Sequence, residues 1–308
     1  MWHVFTDENK GDRERLLVWV SFIIFAVCKF INMSMKLSYY NAADFHCDGG
    51  ASFGVVPKKV WMKRYPCDDE NMCRMSMRCF VLKTSDRLII VDTGVGDKQL
   101  DYLKYYNIKG VADAETELNR MGYSCGDVTD VVLTHLHFDH CGGCTYYDAS
   151  GALRLRFPNA THWVGKSQWD NFKCPNVREG NSYFAENMLP VEAAGVLRLV
   201  EEDEWLCEEV ELRLFEGHTV GFLMPYLPSY EGGAFLVGDV FPTAASLPPA
   251  WVSAYDILPL SSMREKASLL REASEKGCWF VFQHDAYCLK GRVVCVNGHF
   301  RLEDVVNL

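Results

Sequence analysis

His135-Leu136-His137-Phe138-Asp139-His140 decides how this 308-residue chain is read. Side chains on an extended strand repeat every two residues, so His135 and His137 share a face. Asp139 and His140 are neighbours, and both carry metal-binding atoms, so the chain must turn between the two pairs. A strand running into a loop does this: the first two histidines grip one ion and the next two residues grip another. Imidazole nitrogen and carboxylate oxygen suit Zn²⁺, and also Fe or Mn. With nine histidines in the chain, H-x-H-x-D-H arises by chance on the order of once in two thousand such sequences. A loop of merely hydrogen-bonded histidines is therefore the weaker reading.

Working outward, the motif follows the apolar run Val131-Val132-Leu133, and other apolar runs end in equally useful residues. His218 comes just after Leu214-Phe215, Asp239 after Phe235-Leu236-Val237-Gly238, and His284 after the run from Trp279 to Gln283. Taken singly, such a histidine is more often a core or surface residue than a ligand. Three such residues at the carboxyl ends of apolar runs point to one rim where ligands converge. Asp239, with two carboxylate oxygens, is the natural bridge between two ions.

Strands are expected at 78–82, 88–91, 130–134, 209–215, 234–237 and 279–282, several of them continuous apolar runs of the kind buried on both faces. Asn297-Gly298, between runs at 292–296 and 299–302, is a strong hairpin signal. A helix is expected from Ser262 to Lys276, with Ser261 or Ser262 as its N-cap and Gly277 as its stop. Strands and helices in this order read as layered α/β.

A hydrophobic content of 49% with 23% charged residues is that of a globular enzyme. The net charge of −10 repels polyphosphate and argues against a nucleic-acid partner. Thirteen cysteines, odd in number and scattered, fit reduced thiols in the cytoplasm better than a secreted disulfide scaffold. No linker or repeat interrupts the chain after residue 34, so residues 35–308 read as one domain behind an N-terminal extension, 1–34. Within that extension the apolar stretch Leu16 to Cys28 is shorter than the roughly 20 residues of a spanning helix. It reads as a membrane-associating or export leader, a packed helix, or sequence upstream of a true start at Met33 or Met35. Membrane contact follows only from the first of these.

The motif, the distant His218, Asp239 and His284, and the strand and loop Ile89-Ile90-Val91-Asp92-Thr93-Gly94 together resemble the metallo-β-lactamase superfamily, over roughly residues 35–308. The resemblance implies an αββα sandwich, two mixed sheets flanked by helices, with metals at one edge between the sheets. It implies two divalent ions, Zn above all: His135, His137 and His218 on one, Asp139, His140 and His284 on the other, and Asp239 on both. Asp92, with Thr134, would orient the ligands from behind. An acidic bridge at 239 argues against antibiotic hydrolysis. Gly238 to Thr243, Leu247-Pro248 and Trp251 to Pro259 resemble the branch of quorum-quenching N-acyl-homoserine lactonases and methyl-parathion-hydrolase-like enzymes. Three positions depart from that pattern: Val220 replaces a common Pro, Phe222 a frequent His, and Pro242 the lactonase tyrosine. Tyr255 is the candidate for that tyrosine's electrophilic role.

The expected activity is the opening of a lactone or related ester by a hydroxide held between the ions, with Asp139 passing the proton to the leaving alkoxide. Catalytic roles thus fall on Asp139, Asp239 and Tyr255. The expected partner is a small-molecule ester or lactone, and a homodimer is compatible with the sequence. Phosphotriester or thioester hydrolysis is the alternative on the same site, and a mononuclear-iron sulfur dioxygenase is the rival from another class. Only 44 residues separate Asp239 from His284, where nucleic-acid-cutting relatives carry an extra domain. Cys141-Gly142-Gly143-Cys144 reads as a tight turn rather than a redox motif. His3, His46, His162 and His299 are left without a role, and Trp61, Phe241, Trp251 and Tyr255 are candidates for an apolar pocket or for core.

Overall fold

The computed structural model describes residues 35–308, so the expectations for residues 1–34 lie outside the described residues. Six strands form one sheet in the spatial order β1 (Lys36–Asp48), β2 (Met72–Lys83), β3 (Leu88–Val91), β4 (Asp130–Val132), β7 (Thr161–Gly165) and β8 (Leu197–Val200). A small hairpin, β5 (Thr145–Tyr147) with β6 (Leu153–Leu155), stands apart. Seven strands form the second sheet, in the order β15 (His299–Asn307), β14 (Cys288–Val296), β13 (Trp279–Val281), β12 (Ala234–Leu236), β11 (Phe222–Leu227), β10 (Val210–Phe215) and β9 (Glu204–Cys207).

The two-residue period of a strand explains the layering. Phe80, Leu82, Ile89, Val91 and Val132 of the first sheet meet Leu223, Leu227, Ala234, Leu236 and Val281 of the second in one buried cluster. The intervening residues point the other way. Cys79, Val81, Ile90 and Val131 pack with residues of α1 (Gly49–Phe53), α2 (Lys58–Trp61), α3 (Ala114–Arg120), α5 (Lys166–Lys173) and α6 (Ala185–Ala193). Phe222, Met224, Phe235 and Phe280 pack against Leu269, Leu270 and Ala273 of α7 (Pro259–Lys276). The remaining helix, α4 (Phe138–Cys141), is a single turn inside the motif. Helices thus cover both outer faces of two mixed sheets, which is the expected αββα arrangement.

The apolar runs read from the sequence all lie on strands, and Asn297 and Gly298 turn the β14–β15 hairpin with φ of 50° and 77°. That positive pair is what a two-residue hairpin turn demands. The expected start of α7 needs correction. The helix begins at Pro259, whose fixed φ and missing N–H suit a first helical position. Ser262 lies inside it and is buried beneath Gly217, where a Cβ on the glycine would sit 2.5 Å from the Ser262 backbone. Glu265, one turn further on, accepts hydrogen bonds from the backbone N–H groups of Glu216 and Gly217. The small serine and the carboxylate hold the loop that carries His218.

Strands β3 and β4 run parallel, as do β12 and β13, so the carboxyl ends of each pair share an edge. The two edges are stitched together across the gap between the sheets. Leu223 N–H donates to the Thr134 carbonyl at 2.7 Å, and Ser76 N–H to the His284 carbonyl at 3.0 Å. The guanidinium of Arg78, buried on β2, donates to the carbonyls of Phe282 and Asp285 on the other sheet's rim. Among the described residues, no helix is long and apolar enough to cross a membrane.

Close backbone approach sets part of this rim. A Cβ at Gly165 would lie 2.0 Å from the Gly221 carbonyl oxygen, in the loop after His218. Gly165→Ala is expected to cost about 1–3 kcal/mol by overpacking. Gly126, whose Cβ would find nothing nearer than 3.6 Å, serves as the control: Gly126→Ala should stay within about 0.5 kcal/mol of the parent. Chemical denaturation of the two variants checks both.

Candidate metal centre

The motif starts where β4 ends. His137 caps the short helix α4, whose turn swings Asp139 and His140 back towards the strand end. The second sheet supplies the rest: His218 from the loop after β10, Asp239 from the turn after β12, and His284 from the loop after β13. All seven side chains converge. His135 Nε2 lies 2.9 Å from His137 Nδ1, and His140 Nε2 lies 3.2 Å from His284 Nε2. Asp239 divides its carboxylate between the two groups. Its Oδ2 is 3.2 Å from His218 Nε2 and 3.8 Å from His135 Nε2, while its Oδ1 is 2.8 Å from His284 Nε2 and 3.7 Å from His140 Nε2. Asp139 Oδ2 completes the second group, 3.5 Å from His140 Nε2 and 3.8 Å from His284 Nε2.

The donor set fits divalent metal. Ligand atoms of His135, His137 and His218 lie within 4.8 Å of one another, and so do those of Asp139, His140 and His284. The edge of a tetrahedral zinc site with imidazole ligands is roughly 3.3 Å, close to the shorter spacings here. His218 Nε2 and Asp239 Oδ1 are buried without a hydrogen-bond partner. Buried polar atoms rarely go unsatisfied, and these two aim at the space between the clusters.

Each of the five imidazoles is held from behind by its other nitrogen. His140 Nδ1 donates to Asp92 Oδ2 at 2.8 Å, His218 Nδ1 to Asp256 Oδ1 at 3.0 Å, and His137 Nε2 to Glu179 Oε1 at 3.1 Å. His284 Nδ1 donates to the Ser76 carbonyl at 2.8 Å, and His135 Nδ1 to Thr134 Oγ1 at 3.1 Å. An outward N–H leaves the inward nitrogen with its lone pair, the tautomer that a cation needs.

The electrostatics agree. Burial, then the neighbouring imidazoles, push His135 well below the usual histidine range, and burial lowers His137. Burial acts the same way on His140, but Asp139, Asp239 and Asp92 outweigh it and raise that histidine strongly. Asp239 and Asp256 likewise raise His218 against its burial. Burial would raise Asp239, yet His284, His140 and His218 pull it well below the carboxylate range. Three carboxylates around largely buried imidazoles make a cage that favours positive charge.

The sequence pointed to Asp92 and Thr134 but not to Glu179, Asp256 or Ser76. Asp256 sits inside the Trp251–Pro259 stretch, where only its neighbour Tyr255 drew a role. Glu179 lies in an irregular loop with no motif around it. The acceptor at Ser76 is a backbone carbonyl, which no side-chain pattern announces.

The cluster opens into a cleft of about 850 Å³, including its mouth, walled by Phe45, Met75, Phe138 and Ile257 and by the polar Tyr106, Tyr255 and Cys47. Of the four aromatic candidates, Tyr255 lines this cleft, whereas Trp61 and Phe241 are buried in the core. Trp251 packs edge-on against Phe53. Pro242 also lines the cleft, at the place where a lactonase tyrosine was sought. Phe222 packs against the His135 ring, centroids 5.3 Å apart. Cys141 and Cys144 are fully buried, and a Cβ on Gly142 or Gly143 would strike the Val95 or Thr93 carbonyl, as a tight turn requires. His162 is buried on β7 and His46 half-buried on β1, both outside the cluster.

Comparison with known proteins agrees with this geometry. The profile of the Metallo-beta-lactamase superfamily matches residues 78–284. An N-acyl homoserine lactonase of Bacillus thuringiensis is 25% identical over 170 residues, which cover 52% of this chain and 61% of the lactonase. The match thus spans about three-fifths of that relative's length. A probable metallo-hydrolase of Mycobacterium tuberculosis is 33% identical over 105 residues, 29% of this chain and 34% of that protein. Among solved structures, a probable metal-dependent hydrolase from Staphylococcus aureus superposes with a TM-score of 0.79 at 29% identity, covering 88% of this chain and 98% of the other. A dizinc quorum-quenching lactonase, solved in complex with a product, gives 0.69 at 20% identity, covering 88% and 94%. With the profile spanning most of the chain and the same sandwich in these structures, the chain belongs to the metallo-β-lactamase superfamily.

Proposed function

We propose that this chain is a dinuclear metal-dependent hydrolase that opens a lactone or a related ester, with an N-acyl-homoserine lactone as the leading substrate. One observation carries the reading: Asp239 turns one carboxylate oxygen to each of two ligand clusters at the floor of a mostly apolar cleft. In this reading His135, His137 and His218 would hold one ion, Asp139, His140 and His284 the other, and Asp239 would contribute to both. Two divalent ions, when bound, supply Lewis acidity and lower the pKa of water from about 15.7 towards 7.

The protein's own groups then divide the remaining work. Asp139 lines both the second cluster and the cleft, so its carboxylate is set to take a proton from the attacking side and return it to the leaving alkoxide. Tyr255 stands on the cleft wall beside the Cys47 thiol, and burial followed by that thiol raises the phenol above its ordinary value. The phenol therefore keeps its proton and can donate a hydrogen bond to the carbonyl oxygen as charge develops there. Phe45, Met75 and Phe138 offer apolar surface to an acyl chain. The lactonase relative and the lactonase structure support this substrate class, as does the acidic residue at 239.

Two measurements test the reading. Metal-quantified protein is expected to carry two divalent ions per chain, to lose them to a chelator, and to release acid from acyl-homoserine lactones only when loaded. Turnover of an aryl phosphotriester or a thioester with none on lactones would transfer the proposal to those substrates. A single iron with persulfide-dependent oxygen uptake would end hydrolysis as the reading. Tyr255→Phe is expected to lower kcat by about 10²–10³ with metal content unchanged, the loss typical of one oxyanion donor. An unchanged kcat would remove Tyr255 from the mechanism.

A further inference from the structure

Glu179 lies in the loop between α5 and α6 and is only 3% exposed. Its Oε1 accepts from His137 Nε2 at 3.1 Å, Tyr183 OH at 2.8 Å and Thr219 Oγ1 at 2.5 Å. Its Oε2 accepts from Asn171 Nδ2 at 2.8 Å and from Asn176 Nδ2. Five donors thus converge on one carboxylate, and none belongs to a lysine or arginine. The adjacent Arg178 turns away and donates to the Ala254 carbonyl. Among the described residues, the only basic side chain within 4 Å of the Glu179 carboxylate is the His137 imidazole, at 3.1 Å.

A buried carboxylate is costly unless hydrogen bonds satisfy it, and here five side-chain donors do so. A knot that merely tied these loops together would not need the charge. The neighbouring Gln168 shows this, because its neutral amide already makes the tie. It accepts from Leu136 N–H at 3.1 Å, and donates to Thr219 Oγ1 and the Val220 carbonyl at 2.8 Å. Gln168 thereby joins the His137 segment to the His218 loop. Of the groups touching Glu179, only the imidazole of His137 can carry positive character from the metal cluster to the carboxylate.

We propose that Glu179 is a positioning residue whose buried charge, acting through the outer N–H of His137, tightens the ion held by His135, His137 and His218. The inference rests on the metal-centre reading above. With Asp256 behind His218, two of the three imidazoles in that group are then backed by a carboxylate. Loss of such a partner typically costs 10- to 100-fold in metal affinity.

The test is a titration of the metal-free full chain with Co²⁺, followed by the visible absorption of the bound ion, which reports its ligand field directly. Glu179→Gln is expected to weaken one of two Co²⁺ equivalents by about 10- to 100-fold and to shift its band. Asn171→Ala, which removes a donor but leaves the charge, should keep both affinity and spectrum. A Glu179→Gln variant that gives the parent's titration overturns the proposal, and so does an Asn171→Ala variant that loses as much. Should Glu179→Gln fail to fold, the double variant Glu179→Gln with Asn171→Asp keeps the knot paired, since the new amide then faces a carboxylate, and it carries the same expectation. A parent chain that binds no Co²⁺ overturns the metal-centre reading itself, and is thereby told apart from a failure at Glu179 alone.

Discussion

The site depends first on one buried carboxylate, Asp92, at the end of β3. It is wholly inaccessible and adopts a φ of 58°, a left-handed conformation that costs a non-glycine residue energy. Four hydrogen bonds hold it there. Thr134 donates from its backbone N–H and its hydroxyl, each at 2.7 Å, His140 from Nδ1 at 2.8 Å, and Gln283 from Nε2 at 2.7 Å. The first two fix the start of the histidine motif, the third orients one of its rings, and the fourth reaches the neighbour of His284 on the opposite sheet. A side chain at 92 without acceptor oxygens would leave these buried donors unpaired, where unpaired groups are most costly. Asp92 is thus the joint through which one sheet specifies where the other places its ligands.

The remaining constraints follow from the choice of ligands. Five imidazoles share a buried space with Asp139 and Asp239, and each ring keeps its inward nitrogen free by donating outward. Three of the outward bonds end on carboxylates and two on uncharged oxygens. The cleft is lined by ligand residues together with aromatic and aliphatic side chains.

Much of this was legible in the sequence, for identifiable reasons. Strands buried on both faces leave continuous apolar runs, and Ile89–Val91, Phe235–Val237 and Phe280–Phe282 end in polar residues because those ends reach the rim. The histidine motif announces itself because all six of its residues serve the site or pack beneath it. What could not be read was whatever depends on contacts distant in the chain. Glu179 and Asp256 become partners of histidines about 40 residues away only after folding. The Ser76 carbonyl has no side-chain signature at all. The start of α7 was misplaced because Ser262 looks like a cap, whereas its small size answers to Gly217 packed upon it. A cap and a close-packing contact call for the same residue, and only the neighbour across space tells them apart.

The division of ligands between the two sheets has a consequence for how the molecule assembles. Residues up to 200 bring His135, His137, Asp139 and His140, and residues beyond 200 bring His218, Asp239 and His284. Neither half can enclose a cation before the Thr134–Leu223 and Ser76–His284 bonds close the seam. An ion held by either three-residue group would therefore draw on both halves of the sandwich. An ion that binds only the docked form shifts the equilibrium towards it. Metal supply would then bear on the stability of the closed sandwich as well as on its chemistry.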